Sequence, residues 1–283
     1  MSLGFSKMHG LGNDFVVIDG VRQRIALDEA QRRLIADRHR GVGCDQILLL
    51  EPSDDDRHDF IYRIFNADGG EVGQCGNGAR CVSRFAYDKG LTTKTGLRLK
   101  TRNGSLRTEL LADGSVRVDM GIPDFRPQAL PFNAALAEPS RGEPLADYRL
   151  SAANETLAFA IASMGNPHAV ILVADVDQAA VARQGAELGA HPAFPEGVNV
   201  GFMAIVSPTQ IKLRVFERGS GETLACGSGA CAAVATGRRH GLLDANVAVD
   251  LRGGRLLIEW PGEGQALWMS GPATQVFDGK MAL

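Results

Sequence analysis

The chain resembles itself, and that constrains its fold more than anything else in it. Shifted by 151 positions, residues 70–91, GEVGQCGNGARCVSRFAYDKGL, fall on residues 221–242, GETLACGSGACAAVATGRRHGL, and eight of the 22 positions are identical. The register holds elsewhere with small slips. Gly12-Asn13 ahead of Phe15-Val16-Val17 meets Gly165-Asn166 ahead of His168-Ala169-Val170 at an offset of 153, which also brings Gln46 onto Asn199. Asn103-Gly104, Asp113-Gly114 and Gly121 meet Gly253-Gly254, Glu263-Gly264 and Gly271 at an offset of 150. Ordered matches along both halves point to a duplication and to two similar domains of about 120–150 residues. We place them at residues 1–121, with Cys75, and 122–271, with Cys226.

Each half carries the same pattern. Short apolar runs at Val16 to Asp19 and Ala169 to Val173, β-rich runs at Ile47 to Leu50 and Val198 to Val206, and period-two alternation at Phe60 to Phe65 and Gln210 to Phe216 read as strands. Asn103-Gly104 between Leu97 to Thr101 and Leu106 to Leu111 is a strong hairpin signal. Val116 to Met120, Ala248 to Leu251, Arg255 to Trp260 and Ala266 to Met269 complete the strands. Helices are expected at Asp28 to His39, with Asp28 as N-cap, at Asp177 to Ala186, and after Cys75 and Cys226, ending near Gly90 and Gly241. The expected class is α+β: two pseudo-symmetric domains, each a curled, mainly antiparallel sheet around a central helix. Pro127 to Pro144, rich in proline and poor in apolar residues, reads as an inter-domain crossing and surface loop.

Composition excludes several classes. Thirty Lys+Arg against 33 Asp+Glu gives a net charge of −3, with no basic excess to bind a phosphate backbone. No apolar run reaches the length of a membrane span, and the start, MSLGFSKMHG, has no signal core, so a cytoplasmic protein is expected. Five cysteines, an odd number, suit reduced thiols better than a disulfide scaffold.

Two of those cysteines carry the functional signal. Cys75 precedes Gly76-Asn77-Gly78 and Cys226 precedes Gly227-Ser228-Gly229, each where a glycine-rich turn feeds a helix. Helix N-termini stabilise thiolates and bind anions, and the glycines let a ligand approach the backbone. If the two domains face each other, two thiols reach one cleft from opposite sides. That suits inversion at a carbon bearing an acidic hydrogen: a thiolate removes the proton from one face and a thiol delivers one to the other. Asn13, Gln46, Asn66, Asn166 and Asn199 recur beside glycines as a shell for a zwitterion. Glu217-Arg218 stands where the first half has Asn66-Ala67, a charged pair able to take a second ammonium and carboxylate. His168 reads as a turn histidine or a site residue. Cys44, Cys81 and Cys231 read as packed thiols. No cysteine or histidine spacing suggests zinc.

KMHGLGNDFVVID, NADGGEVGQCGNGARC, MGNPH, GVNV and FERGSGETLACGSGACA, in this order from Lys7 to Ala232, resemble the motifs of the diaminopimelate epimerase family. The resemblance implies that family's two-domain fold, with the tail 272–283 returning to the first domain. It implies epimerisation of L,L-2,6-diaminopimelate to the meso form in lysine and peptidoglycan-precursor synthesis, without pyridoxal phosphate, metal or other cofactor. Cys75 and Cys226 would be the acid–base pair, supported by His168 and Glu217. Asn13, Gln46, Asn66, Asn166, Asn199, Glu217 and Arg218 would bind substrate, with the backbone of Gly76-Asn77 and Gly227-Ser228 holding the reacting carboxylate. A homodimer is implied, with a departure at Phe277, where the family commonly has Tyr. Ala137 to Tyr148 resembles a family-variable loop. Rival readings are a two-cysteine racemase of proline or hydroxyproline, a thiol redox protein, and an amino-acid-binding module.

Overall fold

The computed structural model describes residues 2–73, 75–140, 142–152 and 154–283. The chain divides into two compact units, Met1–Asp119 with Ser270–Leu283, and Met120–Met269. In the first, β1 (Ser2–Gly10) and β2 (Asn13–Asp19) form a hairpin, β3 (Gln46–Pro52) lies parallel to β2, and β4 (Phe60–Asn66) returns antiparallel. β5 (Glu71–Val72) pairs with β4, β6 (Gly96–Thr101) runs parallel to it, and β7 (Gly104–Leu110) and β8 (Val116–Asp119) add antiparallel strands. The C-terminal strand Thr274–Ala282 pairs antiparallel with β1.

The second unit repeats this order. β9 (Glu138–Pro139) and β10 (Tyr148–Ala152) precede β11 (Glu155–Ser163), which hairpins with β12 (Pro167–Leu172); β13 (Asn199–Ser207) is parallel to β12 and β14 (Gln210–Glu217) antiparallel to β13. β15 (Gly221–Thr223), β16 (Asn246–Leu251) and β17 (Gly254–Glu259) pair as β5, β6 and β7 do. β18 (Trp268–Gly271) spans the boundary between the units and β19 is the C-terminal strand. The repeat is therefore visible in the pairing: Phe15 lies opposite Gln46 as His168 lies opposite Asn199, residues related by the offset of 153.

Each sheet is covered on both faces, which explains the continuous apolar runs at Phe15 to Ile18 and Ile47 to Leu50, all fully or almost fully buried. In the first unit Val16, Ile18, Ile47, Leu49 and Phe65 cluster with Ile35 and Ala36 of helix α1 (Glu29–Ala36). Residues of opposite parity, Leu48 and Tyr62, meet Gly78 of helix α2 (Gly76–Asp88). In the second unit Ala169, Ile171, Val200 and Phe202 cluster with Val181 and Leu188 of helix α3 (Val181–Gly189), while Val215 meets Gly229 of helix α4 (Gly227–Arg239). Among the described residues, four helices against this many strands make the class α+β, and α2 and α4 are the helices that begin at Cys75 and Cys226. Among the described residues no helix is long and apolar enough to cross a membrane.

Three local expectations are corrected. Helix α1 has the expected Asp28 cap, strengthened into a capping box by Gln31, but stops at Ala36 because the Asp37 carboxylate accepts the N–H groups of His39 and Arg40 and turns the chain. Helix α3 starts at Val181, four residues later than expected, since Asp175 accepts the Asp177 N–H and holds a turn instead. Pro127 to Pro144 is not simply surface: Leu130 and Phe132 are buried, with Phe132 stacked on Phe194 at 4.7 Å between ring centres. Pro127 opens the short 3-10 turn before them and Asn133 caps the one after, and both leave those side chains free to fill the core.

Candidate active site

The first half-site grows out of a two-residue turn. Gly10 pairs with Asn13 across β1 and β2, with Leu11 (φ 58°) and Gly12 (φ 89°) between them. Such hairpin turns need positive φ at both central positions, a strained conformation for leucine, and here it launches Asn13 at the strand start. The Asn13 side chain donates from Nδ2 to Asp45 Oδ2 at 2.9 Å and accepts at Oδ1 from Asn77 Nδ2 at 3.3 Å. Opposite partners in the β3–β4 register, Gln46 and Asn66, are joined by Gln46 Nε2 donating to Asn66 Oδ1 at 2.9 Å. Gln46 Oε1 is buried without a hydrogen-bond partner, an acceptor that a ligand ammonium would satisfy.

Cys75 is the N-cap of α2. It is partly exposed, and its sulfur accepts the Gly78 N–H at 3.3 Å. A sulfur in that place accepts a donor as a thiolate does, with the positive end of the helix behind it. Gly76 and Asn77 occupy the first helical positions, where the helix itself offers its N–H groups no acceptor. The carbonyl of Cys75 is met by the hydroxyl of the buried Tyr62 at 3.3 Å.

The second half-site places equivalent residues in a different state. Cys226 is the N-cap of α4 but is buried, 4 % exposed, and the Gly229 N–H approaches its sulfur without completing a cap hydrogen bond. Burial, then the charge and hydrogen bond of Glu217, push its thiol well above the ordinary range, and the contacts from Gly229 and Ser228 do not offset them. Burial and Glu217 thus hold Cys226 toward the thiol form against the pull of the helix start. Glu217 also accepts a hydrogen bond from Thr223 Oγ1. Its carboxylate is thus set against the Cys226 thiol, a placement that suits the proton-transfer support expected of it. Arg218 is exposed; its backbone N–H donates to Asn199 Oδ1 at 2.9 Å and its guanidinium to the Glu196 carbonyl at 2.8 Å. Asn199 Nδ2 in turn donates to the Pro167 carbonyl at 3.1 Å.

His168 is 1 % exposed, and burial, with the charge of Arg218 beside it, pushes its pKa down to about 3. The neutral ring hydrogen-bonds through Nε2 to Asn166 Oδ1 at 3.0 Å and so fixes that amide. Asn166 Nδ2 donates to Ser228 Oγ at 3.3 Å, the counterpart of the Asn77–Asn13 bond, and Ser228 Oγ lies 3.7 Å from Cys226 Sγ.

The glycines after each cysteine have a packing role that the sequence did not suggest. A Cβ on Gly78 would stand 2.3 Å from Tyr62 Oη, and one on Gly229 would stand 3.1 Å from Val215 and 3.2 Å from Cys226 Sγ. Thr223, Tyr62, Asp45 and Arg80 also touch site residues and were not singled out. Tyr62 sits in a strand that looks purely structural and Asp45 lies outside the matched motifs, while Thr223 and Arg80 lie inside them but face Val72 and Cys231 in the other half, so the repeat does not mark them. Cys44, Cys81 and Cys231 are buried thiols, as read. Among the described residues no three His, Cys, Asp or Glu side chains converge as a metal ion would require.

Solved structures with this fold place it in a class. A hydroxyproline epimerase from Agrobacterium vitis, with bound trans-4-hydroxy-L-proline, matches all of this chain and 93 % of its own at a TM-score of 0.70 and 18 % identity. A PhzF-family phenazine biosynthesis protein of Bacillus anthracis matches over the full length of both at 0.71 and 15 % identity. The architecture is thus the two-unit fold shared by these epimerases and PhzF proteins. The sequence narrows it further. Residues 5–125 and 160–276 match the diaminopimelate epimerase family. The diaminopimelate epimerases of Chromobacterium violaceum and Azoarcus sp. are 56 % and 55 % identical over the full length of both chains. The chain belongs to the diaminopimelate epimerase family.

Proposed function

We propose that the chain interconverts L,L-2,6-diaminopimelate and meso-diaminopimelate with two cysteines as the proton-transfer groups. Family membership makes it an isomerase. The observation that carries the mechanistic reading is the unequal pair of N-cap cysteines: Cys75 partly exposed with its sulfur accepting an N–H, Cys226 buried and held as a thiol. In one direction the Cys75 thiolate takes the α-hydrogen as a proton, and the electron pair of the C–H bond passes into the α-carboxylate. The S–H bond of Cys226 then breaks as its proton joins the opposite face of the carbon. The resulting carbanion is a far stronger base than any thiolate, so a raised thiol pKa does not prevent delivery.

The N–H groups at the starts of α2 and α4 supply donors for the charge that builds on the carboxylate. Asn13, Gln46, Asn66, Asn166 and Asn199 bind the zwitterionic ends, Glu217 keeps the proton on Cys226, and Arg218 takes the distal carboxylate with its planar fork. The product places the reaction in lysine and peptidoglycan-precursor synthesis, with no cofactor among its reactants and a cytoplasmic setting. A second copy is the proposed macromolecular partner: β19 pairs with β1 and leaves Val276 and Phe277 exposed, Phe277 resting edge-on against Phe5 at 6.0 Å. Chromatographic assay of purified protein with L,L-diaminopimelate tests the reading. Accumulation of the meso isomer supports it, and absence of conversion under reducing conditions overturns it.

A further inference from the structure

We propose that Arg80 and Asp45 are positioning residues that fix the amide orientations of Asn77 and Asn13, a role that rests on the reading of Asn13 as a substrate contact. Four side chains of the first unit form one directional chain. Arg80 Nη1 donates to Asn77 Oδ1 at 3.0 Å, Asn77 Nδ2 donates to Asn13 Oδ1 at 3.3 Å, and Asn13 Nδ2 donates to Asp45 Oδ2 at 2.9 Å. The ends decide the direction. A guanidinium can only donate and a carboxylate can only accept, whereas each amide between them can do either. Turning either amide over would set N–H against N–H or oxygen against oxygen. Asn13 thus presents one defined donor and one defined acceptor to whatever binds beside it.

Both ends are held. Arg80 is fully buried, its Nε donates to the Pro272 carbonyl at 3.2 Å, and a Cβ on Gly10 would come within 2.9 Å of its Nη2, so the glycine leaves it room. Asp45 accepts from Arg38 at 2.7 Å and from the Asp14 backbone N–H at 3.1 Å. At the positions of Arg80 and Asp45 the second half of the chain has Cys231 and Val198, and its equivalent chain runs through His168, Asn166 and Ser228, all able to reverse.

The test compares Asp45→Asn with Arg38→Gln. The first replaces the fixed acceptor with a reversible amide at an exposed position; the second removes the ion pair and leaves the acceptor. For Asp45→Asn the expected result is KM for L,L-diaminopimelate raised about tenfold, the effect of a misoriented hydrogen bond. Its kcat should stay within about threefold of wild type and its Tm should not change. In the ligand-free protein the side-chain amide resonances of Asn13 and Asn77 should both shift in Asp45→Asn and stay in place in Arg38→Gln. Asn77→Asp, which still accepts from Arg80 but cannot donate to Asn13, should reproduce the KM effect. KM within twofold of wild type in Asp45→Asn, or equal effects in Arg38→Gln, would overturn the proposal. Wild-type protein that fails to turn over the substrate would instead sink the functional reading, and the ligand-free resonances would still test the chain.

Discussion

The two half-sites are built on one plan and hold their cysteines in opposite conditions. Each cysteine caps a buried helix, and each helix start is tied to an asparagine by a bond of 3.3 Å. In the first unit the hydrogen-bond chain ends on charged groups, Arg80 and Asp45, and the cysteine sulfur is partly open with an N–H pointing at it. In the second the chain passes from His168 through Asn166 to Ser228 and reaches within 3.7 Å of the Cys226 sulfur, which is sealed in and faces Glu217. A few exchanges carry the difference: Phe15 for His168, Asn66 for Glu217, Arg80 for Cys231 and Asp45 for Val198. A duplicated fold supplies two equivalent places, and substitutions around them leave one sulfur partly open and seal the other against a carboxylate.

The most severe way to break the comparison is to remove either cysteine. Cys75→Ser and Cys226→Ser should each lower kcat by about 10²–10⁴-fold, the worth of a general acid or base, because a serine hydroxyl is too weak an acid for the task. Circular dichroism should show both variants folded. Near wild-type turnover in either would remove that cysteine from the mechanism.

Substrate discrimination probes the charged pair found only in the second unit. Lysine lacks the distal carboxylate and proline lacks the distal arm, so kcat/KM for both should fall at least about 10²-fold below diaminopimelate. Arg218→Lys should raise KM for diaminopimelate about tenfold, since an ammonium cannot reproduce the bidentate fork. Proline turned over within a few-fold of diaminopimelate would reassign the substrate.

Packing separates the units next. Gly78→Ala drives a methyl group into the buried Tyr62 hydroxyl, whereas Gly229→Ala brings one to 3.1 Å from Val215 and 3.2 Å from Cys226, tight but relieved by a shift of a few tenths of an ångström. Overpacking of this kind costs about 1–3 kcal/mol, with Gly78→Ala at the upper end and Gly229→Ala at the lower. Thermal unfolding of the two variants should rank them in that order. The reverse order would mean that the first helix start yields more easily than its surroundings suggest.

Much of this was legible in the sequence. The repeat carried the strand positions, the two helices that begin at the matched cysteines and the cysteines themselves, because turns and apolar runs are local features that survive duplication. The raised pKa of the Cys226 thiol was not legible: it depends on burial and on Glu217 lying against Cys226, a contact made by the β14–β15 hairpin and not by sequence neighbours. The burial of Leu130 and Phe132 was hidden because prolines around them mimic a loop. His168 was ambiguous, since a turn histidine and a buried one look the same in a string of letters, and only the packing lowers its pKa.

The smallest effect is expected in the pH dependence of stability. Cys44 and Cys81 are each pushed up to about 12 by burial, and Cys226 is raised as well. A thiol whose folded pKa exceeds its unfolded value contributes stability in full below the unfolded value, about 8.5, and loses it as pH rises toward the folded one. Tm should therefore decline between about pH 8.5 and 11, and Cys81→Ala should flatten that decline. An equal slope in the variant would assign the alkaline loss to other groups.

The division of labour between the two cysteines is tested most directly by isotope. Wild-type protein is incubated with L,L-diaminopimelate in D₂O, and the first few per cent of turnover is analysed. Two groups acting from opposite faces predict meso product carrying deuterium at the inverted carbon, while the remaining L,L substrate stays unlabelled. Product that keeps its original hydrogen at that carbon would mean that a single group both removes and returns the proton, and would contradict the account.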